Sequence, residues 1–518
     1  MKMQRTENAS RNVIFGFILK IYQIIVPFLM RTVMIHFMGV QYLGLGSLFT
    51  SILQVLNLAE LGVGSAMVYS MYRPIAMDDK KTICALMRLY QRYYYIIGAV
   101  IAAAGIFFTP LIPKMVNGVL PEGVNLYILY FLNLGATVLS YWLFAYKNCL
   151  FQAHQREDVV SKVSLLVATV QYLFQFYIVI WLKNYYLYVI VNLFGTVAVN
   201  VLTAVFANCA YPHYKPKGQL THQEVKQINQ RVRDLFTAKL GGVIVNSVDS
   251  IVISAILGLT VLAVYQNYYY ILNSILGFTQ IIFTSCIAGI GNSLITENSK
   301  KNFHDLMVFS FLIYWISGVC TTCLFCLYQP FMKIWVGEQL MLDFKVVMCF
   351  CVYFYVLQAS QILFSYKDAA GIWHEDRFRP LVTAVSNLVM NLIMVRFWGI
   401  YGVILSTVIS TALIGMPWLL YNLFHILFEP QQLFAYLRSL GIYTCMTIIA
   451  CAITHTLCSL VHMGDIATLI VKGGICCVVP NMFFLVVYHN QKEFVASVQI
   501  VDRITKGKLH LQRWLNIV

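Results

Sequence analysis

The sequence predicts an all-α polytopic membrane protein of about 14 transmembrane helices. Three observations carry that prediction: a greasy composition, a ladder of long apolar runs, and a one-sided distribution of basic residues. Of 518 residues, 60% are hydrophobic and only 11% charged, with a mean hydropathy of +0.73. A soluble chain carries about a quarter charged residues. No polar stretch is long enough for a separate soluble domain.

A bilayer core of about 30 Å needs roughly 20 apolar residues per helix. Runs of that size centre near Val26, Leu56, Ala102, Leu139, Val170, Val197, Ser247, Phe278, Ile316, Tyr355, Met390, Ser410, Ile448 and Cys477. The opening segment, MKMQRTENASRN, is short and basic, and the run after it lacks a small-residue cleavage pattern. It reads as a retained first helix rather than a signal peptide.

The basic residues set the orientation. With the N-terminus inside, 27 of the 36 Lys and Arg residues fall on cytoplasmic segments, 6 on outward connections and 3 within spans. Cytoplasmic loops carry such an excess, so both ends are expected inside. The net charge of +15 then reflects topology and contact with anionic lipid. Nucleic-acid binding is not expected.

The three intramembrane cations are Lys20, Arg31 and Lys239. Lys20 and Lys239 lie at an offset of 219 residues, and neighbours follow it: Phe17 matches Phe236, Gly39 matches Gly258, Leu43 matches Leu262. A lysine within a span costs roughly 2.5–3.5 kcal/mol on insertion scales, so its duplication points to two parallel repeats. The expected organisation is a six-helix bundle over residues 13–208, a cytoplasmic linker over 209–233, a second six-helix bundle over 234–428, an added helix pair over 434–489 and a basic cytoplasmic tail over 490–518.

Within the linker, Thr221 and Glu224 have the spacing of a capping box, and Val225, Ile228, Val232 and Leu235 recur at helical spacing. This predicts an amphipathic helix on the inner membrane surface. The tail, with Phe494, Val498, Val501 and Leu515, reads similarly. The alternative for both is a solvated basic helix.

Lys20 and Arg31 are three helical turns apart, about 16 Å on one face. The seventh span presents Lys239, Asn246, Asp249 and Ser250. Together they would give a cavity cations at two depths, with Arg31 expected to pair with Asp249. Such a ladder suits an anionic head group, a phosphate or diphosphate. The competing reading is that Lys20 and Lys239 snorkel to the inner interface. Glu60 is a proton or cation site, or a partner for Lys20 or Arg31. Gly62 and Gly64 end the second span, and Gly289 and Gly291 the eighth. Such pairs permit close packing or form a gate. The runs Tyr93–Tyr95 and Tyr268–Tyr270 would stack on sugar rings or belong to the interface belt. Of 14 cysteines, Cys320, Cys323 and Cys326 share one apolar helix at three-residue spacing. They read as soft packing residues, and neither a metal site nor a cofactor is expected.

Several segments resemble bacterial polysaccharide-biosynthesis flippases. They are LAELGVGSAM (58–67) with Tyr72–Arg73–Pro74, YQNYYYILNSILGF (265–278), GIGNSL (289–294) and, most specifically, KDAAGIWHEDRFRPLV (367–382). The resemblance runs from about residue 10 to 490. That superfamily also contains multidrug and toxin extruders and peptidoglycan lipid flippases. The resemblance implies alternating access and a polyprenyl-diphosphate-linked oligosaccharide carried from the inner to the outer leaflet of a bacterial cytoplasmic membrane. It also implies a cationic central cavity, for which Lys20, Arg31 and Lys239 are available, and a pathway shared with a glycan polymerase and glycosyltransferases. The loop bearing Lys367, Asp368, Glu375, Asp376, Arg377 and Arg379 is either a gate latch or a charged turn. An ion-coupled drug or organic-cation antiporter, a membrane-embedded oligosaccharide polymerase or ligase, and a non-transporting assembly partner are the rivals. No enzyme activity is expected.

Overall fold

The structure is a computed structural model that describes residues 5–117, 120–121 and 123–504. Its regular secondary structure is helical throughout, with no strand among the described residues. The chain runs through α1 (Arg5–Phe37), α2 (Val40–Leu56), α3 (Val63–Ala76), α4 (Lys80–Phe108), α5 (Leu126–Trp142), α6 (Asn148–Ala153), α7 (Glu157–Tyr177), α8 (Tyr185–Ala210) and α9 (His222–Ile256). It continues through α10 (Leu259–Thr296), α11 (Ser299–Val336), α12 (Phe344–Ala370), α13 (Arg379–Ile409), α14 (Met416–Ile426), α15 (Pro430–Ser459), α16 (Asp465–Tyr488) and α17 (Lys492–Ile504).

Several helices begin where the sequence supplies a side-chain acceptor. Asn125 accepts from the N–H groups of Tyr127 and Ile128, Asn184 from Leu187 and Asn298 from Lys301. Such caps satisfy first-turn donors that have no helical partner and contribute about 1 kcal/mol each. The capping box at Thr221 and Glu224 is present in both directions. The helix it opens does not stop at residue 233. It runs 35 residues to Ile256, so the amphipathic stretch and the seventh span are one element.

Eleven of the described helices are long and apolar enough to cross a membrane, or 12 if the bent pair Leu126–Trp142 and Ala145–Ala153 is one span. One of the eleven, Arg379–Ile426, has 48 residues and would measure about 72 Å if straight. It is not straight. Asn387 Nδ2 donates to Thr407 Oγ1 at 2.9 Å, and Ser406 Oγ donates to Asn391 Oδ1 at 2.6 Å. A straight helix would hold the first pair about 30 Å apart. The chain reverses at Gly399 (φ 55°, ψ −136°), so the run is a helical hairpin zipped by buried polar side chains. Its arms contain the runs centred near Met390 and Ser410. Hydrogen bonds of this kind contribute about 0.6 kcal/mol each inside a bilayer.

Burial follows the pattern of a protein in lipid. Asn387, Asn391 and Ser406 are fully buried, whereas Phe107 is 78% and Trp181 68% exposed. Polar groups face inward because hydrocarbon offers them no partner.

The chain divides into two compact units, Met1–Ala263 and Val264–Val518. In the first, α9 packs against α2 and α3. Helix α9, which the sequence repeat places at the start of the second bundle, thus belongs to the first unit. In the second, α11 packs against α12, α15 and α16. Phe311, Tyr443, Phe484 and Tyr488 form a buried aromatic seam there. Phe494 and Val498 of α17 join that seam, with Phe494 stacked on Trp315 at 5.7 Å. The first part of the tail therefore docks Phe494 and Val498 on protein. The Val501 side chain and Leu515 lie outside the described residues.

The 219-residue offset is visible in the backbone. Gly39 (φ 112°) separates α1 from α2, and Gly258 (φ 97°) separates α9 from α10. A side chain there would meet the steric penalty of left-handed backbone, roughly 1–2 kcal/mol.

Candidate functional site

Helix α2 ends in a 3₁₀ turn, Asn57–Glu60, and Gly62 (φ 88°) then redirects the chain into α3. This break sets Glu60 on the wall of a cavity of about 470 Å³ inside the first unit. Other polar lining groups come from five further helices: Gln23 of α1, Tyr94 of α4, Tyr141 of α5, Gln171 of α7 and Asn200 of α8. Tyr94 O–H donates to Glu60 Oε1 at 3.3 Å, and the Tyr90 and Tyr94 hydroxyls are 2.6 Å apart. The Tyr141 ring meets that of Tyr94 edge-on at 5.4 Å. Gly64 leaves room for this cluster, since a Cβ there would stand 3.1 Å from the Tyr90 hydroxyl and 3.4 Å from Glu60 Oε1. A half-buried carboxylate among neutral donors is equipped to hold a proton or a small cation.

The cation beside Glu60 is Lys239. Its Nζ donates to Ser65 Oγ at 3.3 Å, and its charge acts on Glu60. Close approach makes this possible: a Cβ on Gly62 would stand 2.6 Å from Leu235 Cβ of α9. The sequence offered Lys20 or Arg31 as the partner of Glu60. Lys20 is half-buried on α1, and the half-buried Arg31 acts electrostatically on Tyr188 of α8. Helix α1 packs against α7 and α2. Asp249 and Ser250 are buried in α9, and Ser247 donates to Gln54 Oε1 at 3.2 Å. The Asn246 side chain lies outside the described residues. Tyr90 and Tyr141 were the missed part of this site. Tyr94 belongs to a run whose composition does not separate a cavity residue from a belt residue.

The charged loop after α12 is tied to itself. Arg379 holds Asp376 through two bonds, Nε at 2.6 Å and Nη2 at 2.8 Å, and Asn422 Nδ2 adds a third at 3.3 Å. Lys367 Nζ lies 2.8 Å from Asp368 and 3.9 Å from Asp376. Asp376 and Arg379 are buried, whereas Glu375 and Arg377 are exposed. Fork-to-fork pairing of this kind fixes a turn. Gly291 faces α12, with a Cβ there 3.5 Å from the Ala369 carbonyl oxygen, while nothing lies within 4 Å of one at Gly289.

No protein-family profile matches this sequence, and no curated protein is detectably similar to it. Solved structures do match. The "Lipid II flippase MurJ, inward closed conformation" superposes with a TM-score of 0.68 at 14% identity, covering 92% of this chain and 99% of that one. An inward-facing multidrug-resistance MATE transporter of the MOP superfamily gives 0.57 at 13% identity, covering 77% of this chain and 93% of that one. The chain has the MOP-transporter fold. A MOP-superfamily transporter from Pyrococcus furiosus Vc1, whose binding pocket is described as reversed in polarity, gives 0.55 at 13% identity, covering 81% and 95%. These MOP neighbours are transporters, not enzymes. At such identities the likeness is one of fold, and the side chains must be read on their own chemistry.

Proposed function

We propose that the protein is a flippase. It moves a polyprenyl-diphosphate-linked oligosaccharide from the inner to the outer leaflet of a bacterial cytoplasmic membrane by alternating access, with fourteen crossings and both ends inside. The observation that supports this reading is coverage. The lipid II flippase aligns with 92% of this chain, the inward-facing multidrug transporter with 77%. In this reading the two six-helix repeats and the added pair α15–α16 are all part of the transport unit. Lys20 and Lys239, each about midway along its helix, attract the diphosphate while the lipid tail stays in the bilayer. Arg31 and Asp249 form the deeper level that switches, and Glu60 carries a coupling proton or cation. The glycan polymerase and glycosyltransferases of the same pathway are the expected partners.

Depletion of the protein is expected to trap lipid-linked oligosaccharide on the inner leaflet, measured by its accessibility to a membrane-impermeant glycosidase. Lys20→Ala, Arg31→Ala and Lys239→Ala should each impair rescue. Normal surface glycan without accumulation would sink the flippase reading, and full rescue by all three variants would sink the cationic-cavity part.

The carboxylate-walled cavity around Glu60 favours one alternative, an ion-coupled drug or organic-cation antiporter. That reading predicts altered drug sensitivity on depletion, with no trapped lipid-linked glycan.

A further inference from the structure

The three-residue ladder Cys320, Cys323 and Cys326 reads as packing along one helix. In three dimensions one member leaves the ladder. Cys326 of α11 meets Cys458 at the end of α15 and Cys476 of α16, and their Sγ atoms all lie within 4.8 Å of one another. The Cys458–Cys476 separation is 3.9 Å. Each of the three is at most 5% exposed. Cys323, one turn before Cys326, donates its S–H to the Cys476 carbonyl oxygen at 3.8 Å.

We propose that Cys326, Cys458 and Cys476 form a trigonal binding site for a soft monovalent d¹⁰ cation, copper(I). Metal–thiolate bonds of about 2.3 Å in a planar trigonal site place the sulfurs about 4.0 Å apart; the Cys458–Cys476 pair stands at 3.9 Å, and all three sulfurs lie within 4.8 Å of one another. Thiolate-only sets select copper(I), zinc or iron–sulfur clusters. Zinc and the clusters ask for a fourth ligand. Among the described residues no fourth His, Cys or carboxylate ligand atom joins the three sulfurs within 4.8 Å; His455, on the wall of the adjoining cavity, stacks on Phe344 at 5.8 Å. The three-sulfur set therefore matches copper(I) better.

A route to the site is built in. Cys326 and Cys458 line a cavity of about 440 Å³ whose wall also carries Lys333 and Lys472. Binding forms copper–sulfur bonds in place of S–H bonds, and the displaced protons leave through this cavity to water. No electron is transferred. With three thiolates the bound site carries two negative charges; Lys472 lies on the cavity wall, and Lys333 there is already ion-paired with Glu338 at 3.1 Å and Asp465 at 3.4 Å. The bound ion would clip α15 and α16 to α11, fastening the last helix pair to the rest of its unit.

The test uses the full chain, reduced and purified in detergent without oxygen, titrated with copper(I) held as its bicinchoninate complex. One equivalent should transfer to the protein, and X-ray absorption on the wild type should show three sulfur scatterers and no nitrogen. Cys326→Ser, Cys458→Ser and Cys476→Ser should each abolish that equivalent, while Cys209→Ser, an exposed cysteine on α8, should keep it. Failure of the wild type to take up copper would overturn the proposal. So would uptake that persists when all three cysteines are replaced, or a nitrogen-rich absorption spectrum. A Cys458–Cys476 disulfide in protein isolated without reductant, with no copper uptake after reduction, would assign the pair to redox chemistry instead.

Discussion

Glu60 sits where a helix stops, and that position decides what its charge can do. At the end of a 3₁₀ turn it faces Tyr94 and a cavity walled by side chains of five other helices. If Glu60 carries the coupling ion, Glu60→Gln keeps the shape and removes the charge. Transport by that variant is expected to fall at least tenfold, about 1.4 kcal/mol of barrier, and to lose its dependence on the ion gradient, as measured in proteoliposomes. Retention of that dependence would remove Glu60 from the coupling role. A carboxylate in an apolar run was visible in the sequence, because its cost is read from residue type alone. Its partners were not. Lys239 and Tyr94 are 179 and 34 positions away, and only the close passage of α9 across Gly62 brings Lys239 in. The three converging cysteines were hidden for the same reason, since Cys326, Cys458 and Cys476 come from three helices.

At the scale of elements, glycine decides which helices come close. A Cβ on Gly44 of α2 would run into the carbonyl group of Leu259 at the start of α10, a backbone that cannot step aside cheaply. Gly135 in α5 has nothing within 4 Å of such an atom. Gly44→Ala is therefore expected to destabilise by about 1–3 kcal/mol, the range for overpacking. Gly135→Ala should be neutral or gain up to about 1 kcal/mol of helix propensity. Thermal unfolding of the two variants in detergent checks the contrast, and equal melting temperatures would refute it. Helix type and approximate position were legible from apolar run length. Helix ends were legible where a cap is local, as at Thr221. The hairpin at Gly399 is a different matter. Its two arms were expected as separate spans, yet the contacts that close them, Asn387 to Thr407 and Asn391 to Ser406, involve buried polar residues that no hydropathy argument pairs. Helix α9 shows the opposite case, because a polar first half and an apolar second half looked like two elements and form one.

At the scale of the whole molecule, the sequence says most about orientation. The lopsided distribution of Lys and Arg predicts that a fluorescent protein fused after Val518 will mature and that alkaline phosphatase fused after Lys183 will be active. The reverse pattern would overturn the inside placement of the ends. The many-helix membrane architecture could be anticipated because bilayer thickness and charge asymmetry act on the entire chain, not on single contacts. Whether the protein transports, and what, depends on a few side chains and is settled only by a transport assay. One backbone feature bears on how such chains are to be compared. Gly39 and Gly258 occupy equivalent turns 219 residues apart, in a conformation that tolerates little besides glycine. Side-chain identity can drift almost freely on lipid-facing helices, because one apolar residue there serves as well as another. A torsion angle that penalises a Cβ by roughly 1–2 kcal/mol drifts less readily. For sequences this far diverged, the register of ancestry is kept in dihedral angles, and alignments anchored on such turns should stay true where those anchored on hydrophobic residues slide.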